Sequence, residues 1–175
     1  MTADKIPEPA RRALDRHGAF ESTENGYECT TTPFEAAVRA SPAAGERDAE
    51  FEIELHLPAL SAVVESETVG PAVANGWFDT LERRLDDAYH AAGPSDTDDP
   101  VVERGDETIT ATFGLRAWNA SNGVDAAKAV IDYVEGTYVQ GVIPGYEYGE
   151  PVAGLLDRAQ QNADSDDAAR GGTPL

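Results

Sequence analysis

Between residues 50 and 57 polar and apolar side chains alternate without a break. Phe51, Ile53, Leu55 and Leu57 fall on one side, and Glu50, Glu52, Glu54 and His56 on the other. A period of two is that of a strand with one dry face and one wet face. The same rhythm returns at 108–118, where Ile109, Ala111, Phe113, Leu115 and Ala117 alternate with threonines, Arg116 and Trp118. Shorter runs flank turn signals. Asn25-Gly26 separates Ala19–Glu24 from Tyr27–Thr32, the strongest short hairpin signal. Gly105-Asp106 separates Val101–Arg104 from the longer run, and Phe34–Ala40 alternates as a further strand.

The period changes to helical elsewhere. Ile6, Ala10, Ala13, Leu14 and His17 share one helix face, with Pro7 and Pro9 tolerable in a first turn and Gly18 as a stop. Val73, Trp77, Leu81, Leu85, Ala88 and Tyr89 trace a second, long helix, and Val124, Ala127, Val130, Ile131, Val134 and Tyr138 a third. Between them 59–70 reads as a loop with a helical turn, and Asn122-Gly123 as the turn that opens the third helix. Val152, Leu155, Leu156 and Ala159 mark a short final helix with Pro151 at its first position. Residues 1–163 therefore read as one domain and 164–175 as a disordered acidic tail. The element order is α-β(3–4)-α-β(2)-α-α. It predicts an α+β fold, an antiparallel sheet with helices packed on one face in two layers.

Composition sharpens this picture. Leu, Ile, Val and Phe supply only 33 of 175 residues, while Ala supplies 28. Acidic residues number 33 against 13 basic, a net charge of −20, and only two of the basic residues are lysines. Few large aliphatics with high charge suggest disorder in ordinary buffer. The regular periodicity argues instead for a folded chain in strong salt, where a Debye length of about 3 Å screens the carboxylates. Excluded salts also strengthen burial of small apolar groups. No basic patch is present to neutralise phosphates, so nucleic acid and anionic membranes are not expected partners. The first sixteen residues carry a net +1 and the remainder −21, so the first helix is expected to dock on an acidic body, its own or a neighbour's. No apolar leader or membrane span is seen, and the expected location is cytoplasmic.

Excess carboxylate, scarce lysine and abundant Ala and Gly resemble the small uncharacterised protein families of halophilic archaea. That resemblance implies a cellular setting and no functional residues. Over residues 5–140 the element order also resembles the secretion-chaperone-like architecture, a likeness of order alone.

Signatures of phosphate loops, dinucleotide folds, zinc proteases and serine hydrolases are missing, so no cofactor or metal is expected and no catalytic residue is assigned. Cys29, with His17, His56 or His90 as base, is weighed against a strand cysteine packed as a small hydrophobe, and the latter is preferred. Asp96, Asp98 and Asp99 are better read as a solvated loop than as a cation site. Two features point to partner binding. Arg116, Trp118 and His56 would share the uncovered sheet face, where Trp118 either anchors an interface or tucks under the following loop. Tyr138, Tyr146 and Tyr148 lie in the Gly-rich stretch 136–149, either an adaptable recognition loop or, preferred, a connector whose aromatics close the core. The expectation is an interaction domain that binds a protein partner or forms a homodimer through the sheet face or first helix. The alternative is a small-molecule hydrolase or isomerase with a His-based site near 136–149. The salt reading predicts loss of helical and strand circular dichroism on dilution from molar salt to about 0.1 M. Unchanged stability across that titration would contradict it.

Overall fold

The computed structural model describes residues 5–92 and 96–170, without the side chains of 91, 92 and 166–170. A helix α1 (Glu8–Arg16) leads into β1 (Phe20–Thr23), β2 (Gly26–Cys29), β3 (Glu35–Ser41) and β4 (Ala49–Pro58). Three helical pieces follow, α2 (Leu60–Val63), α3 (Pro71–Leu85) and α4 (Ala88–Ala92). Then come β5 (Val101–Arg104), β6 (Thr108–Ala117), α5 (Ala120–Gln140) and α6 (Val152–Arg170). Among the described residues, one antiparallel sheet has the order β1-β2-β3-β4-β6-β5. The α+β fold expected from the alternation is the fold observed.

The two strands with the clearest period form the centre. β4 and β6 pair from Ala49↔Ala117 to Pro58↔Thr108. Phe51, Ile53, Leu55 and Leu57 are fully buried on the inner face, beside Ile109, Ala111, Phe113 and Leu115. The helices cover that face. Val124, Ala127, Val130, Ile131 and Val134 of α5 and Ala10 and Leu14 of α1 are buried against it. Much of the remaining core is alanine, including Ala36, Ala40, Ala49, Ala117 and Ala120. Small residues let helix and sheet approach closely, so a core with few large aliphatics still excludes water.

Three expectations are corrected. The third helix does not begin after Gly123 but at Ala120, with Gly123 inside it. Asn119 caps it through a bond from the Asn122 amide, and Asp48 accepts from the Ala120 amide at 2.9 Å. Gly123 is there for packing. A Cβ at that position would lie 2.4 Å from the Phe51 ring and 2.7 Å from the Ala117 methyl. The second helix is broken after Leu85, where Asp86 and Asp87 separate α3 from α4. The last helix continues through Arg170, so 164–170 is helical rather than tail, and 171–175 lie outside the described residues. Hydrogen bonds from Gln160 to Asp164 and from Ser165 to the Gln161 carbonyl support that extension. Of the two docking sites left open for α1, the one seen is its own body, met through Ala10, Ala13 and Leu14.

Gly123→Ala is expected to lower stability by about 1–2 kcal/mol in chemical denaturation, because overpacking outweighs the gain in helix propensity. Gly136→Ala, in the same helix with nothing within 4 Å of a new Cβ, is expected to raise it by up to about 1 kcal/mol. Equal effects at the two glycines would contradict the close approach of α5.

Candidate functional site

The face of the sheet away from the helices is built by the other half of each alternation. Glu50, Glu52, Glu54 and His56 of β4 stand between Glu35, Ala37 and Arg39 of β3 and Thr108, Thr110, Thr112 and Gly114 of β6. These residues are exposed or half-buried. Cross-strand neighbours pair: Arg39 reaches Glu52 at 2.8 Å and lies 3.8 Å from Glu54.

The end of this face near the start of α5 is the most organised part. From Asp96 the chain runs alongside β6. Thr97 bridges Leu115, the Asp98 amide donates to the Gly114 carbonyl and the Arg116 amide to the Asp96 carbonyl. This extension sets two carboxylates beside Arg116. Its guanidinium donates to Asp96 at 3.0 Å and to Asp98 at 2.8 Å, with Glu50 at 3.8 Å. The hydrogen bond from Arg116 holds the Asp98 carboxyl below its usual range and the paired carboxylates hold Arg116 firmly charged. Asp96 also pairs with Arg47 at 2.7 Å. Arg47 lies over the Trp118 ring, 4.9 Å from its centroid, with its Nε buried and unpaired among the described residues.

Trp118 is 61% exposed, so it does not tuck under a loop of the described residues. Sequence reasoning placed Arg116 and Trp118 on one face but missed Arg47, in a loop with no periodic signal. Asp96 was read as solvated, whereas it joins the two arginines.

His56 lies on the same face, some strand length away. Its Nε2 is 2.9 Å from Glu54, and its Nδ1 is 3.4 Å from the Thr110 hydroxyl. It lines a groove of about 430 Å³ with Glu35, Thr108 and Pro151. The other histidines are elsewhere, His17 near Asp125 and His90 exposed near Asp87. Cys29 is buried, its sulfur 3.4 Å from the Thr31 hydroxyl.

The three tyrosines differ in their surroundings. Tyr138 is 1% exposed and packs edge-on against Phe34 and Trp77, with its hydroxyl donating to the Pro58 carbonyl. Burial pushes its pKa up. Tyr138 is therefore not a surface residue for partner binding; its helix position faces the sheet, in keeping with the preferred reading in which the aromatics close the core. Tyr148 accepts from the Ile143 amide and donates to its carbonyl, closing its own loop. Tyr146 is half-buried.

Among the described residues no group of three His, Cys, Asp or Glu side chains is placed to hold a metal, and no helix is long and apolar enough to cross a membrane. Neither the curated proteins nor the solved structures yield a match to the chain. A family of unknown function, DUF5813, matches residues 15–158, from the end of α1 into α6. The match takes in the whole sheet and the Trp118 corner, and the chain belongs to this family of unknown function.

Proposed function

We propose that the protein is a non-catalytic interaction domain of a salt-rich archaeal cytoplasm, and that it receives a protein partner at the Trp118 corner of its open sheet face. The observation that carries this reading is Trp118 itself, a large aromatic left 61% exposed yet held in place by an arginine that Asp96 fixes. A pre-set aromatic with little conformational freedom to lose is the kind of side chain that dominates interfaces. Charge indicates the partner. Arg47 and Arg116 are already paired, and Glu50 and Asp98 beside Arg116 remain half-exposed and exposed. A basic segment with an apolar group complements this corner. A second copy would set acidic faces against each other, and the apolar side of α1 is spent on the body.

A second reading, a hydrolase or isomerase with His56 as base, draws on the Glu54–His56–Thr110 chain and its groove. It ranks lower because the neighbouring amides of β4 and β6 are engaged in strand pairing. They offer no free pair of donors to a developing oxyanion.

The test is recovery of partners with tagged wild-type and Trp118→Ala protein from source cells, followed by reconstitution of the recovered pair. The expected result is one protein whose affinity falls about 30-fold with the substitution and whose binding shifts Trp118 emission to the blue. A partner held equally well by Trp118→Ala, or emission unchanged in the complex, contradicts the reading. Recovery of the chain's own second copy alone would replace the foreign partner with a homodimer.

A further inference from the structure

Between α3 and the C-terminal end of α5 lies a cavity of about 320 Å³, within the size range of small-ligand sites. Its walls are apolar. The Trp77 indole packs edge-on against Tyr138, with ring centroids 5.6 Å apart, and Leu81 and Ile143 complete the lining.

Two polar groups open into it. Thr137 lines the cavity and is 6% exposed, and Trp77 is 9% exposed. The Thr80 hydroxyl is occupied by the Gly76 carbonyl. The Thr137 hydroxyl and the Trp77 indole N–H, by contrast, have no hydrogen-bond partner among the described residues. Arg47 Nε is the side-chain atom that is buried and unpaired among the described residues, so the Thr137 and Trp77 donors are reached from the open cavity and are available to an acceptor there. At the rim stand Arg84 and Gln140. Arg84 pairs with no carboxylate among the described residues, as is also true of Arg16, Arg83, Arg104 and Arg158, and it is the one of these that lines this cavity. Gly76 adds a further observation. It sits inside α3, where glycine is a poor helix former. A Cβ there would meet nothing within 4 Å, so no packing demand explains it. It does keep the mouth of the cavity clear.

We propose that this cavity binds a small organic acid, its apolar body against Trp77 and Tyr138 and its carboxylate held by Arg84 and the Thr137 hydroxyl. The charge decides the class: a free guanidinium beside neutral donors matches an anion, and the apolar walls exclude a bare inorganic one. This site is independent of the Trp118 corner.

Trp118→Phe leaves Trp77 as the reporter in the cavity wall. In that background, 3-phenylpropionate is expected to change Trp77 emission saturably. Its neutral counterpart 3-phenylpropanol is expected to bind about tenfold more weakly, the loss of one charge-assisted hydrogen bond. Arg84→Gln should bring the two ligands to equal affinity. Gly76→Phe, at an exposed helix position that tolerates a side chain, should plug the mouth and abolish the response. No saturable change in Trp77 emission, equal binding of acid and alcohol by the protein carrying Arg84, or full binding by Gly76→Phe would each overturn the proposal.

Discussion

The structure depends on a sheet that is dry on one side only. The ten-pair ladder of β4 and β6 turns every second side chain inward, and the inward ones include five large aliphatics and two phenylalanines. A one-residue slip would exchange them with four polar side chains of β4, so the register is held by the hydrophobic pattern itself. Everything else is arranged around that requirement. α5 must lie close enough to seal the inner face, and the closeness demands a glycine where Phe51 meets it.

The same constraint explains how a chain poor in large apolar residues builds a core. Alanine at helix and strand contacts shortens the distance between layers, so a few larger side chains fill the remaining volume. It also explains where the charge goes. With the helices committed to one face, the other becomes surface. Its glutamates are spaced by the strand period and partly neutralised by Arg39 and Arg116. Organisation appears at the corner near α5, where a loop arginine, two aspartates and a strand arginine lock one tryptophan in an exposed position.

The sheet was legible because its signal is local. Alternation at 50–57 and 108–118 and the Asn25-Gly26 turn need only neighbouring residues to be read. The errors arose where a local signal competed with packing. Asn122-Gly123 resembles a turn, yet the demand of Phe51 and Ala117 for space puts it inside a helix. Asp86 and Asp87 continue a helical pattern from Trp77 to Tyr89, yet the chain breaks there into two helices. The candidate sites were the least legible part. Arg47, Asp96 and Arg116 come from three separate segments, and Trp77 meets Thr137 only because α3 and α5 pack together. No spacing rule connects such residues. Exposure of Trp118 likewise depends on what the following chain does, and that chain turns into α5 instead of folding back.

The account's central claim is the one-sided core, and substitution along the two central strands tests it directly. Chemical denaturation of alanine variants at each position of 51–57 and 109–115 should alternate. Inward positions with large side chains are expected to lose about 2–5 kcal/mol, and outward positions to stay within about 0.5 kcal/mol. Losses of similar size at Glu52, Glu54, Thr110 and Thr112 would show that the outer face is covered and would contradict the account.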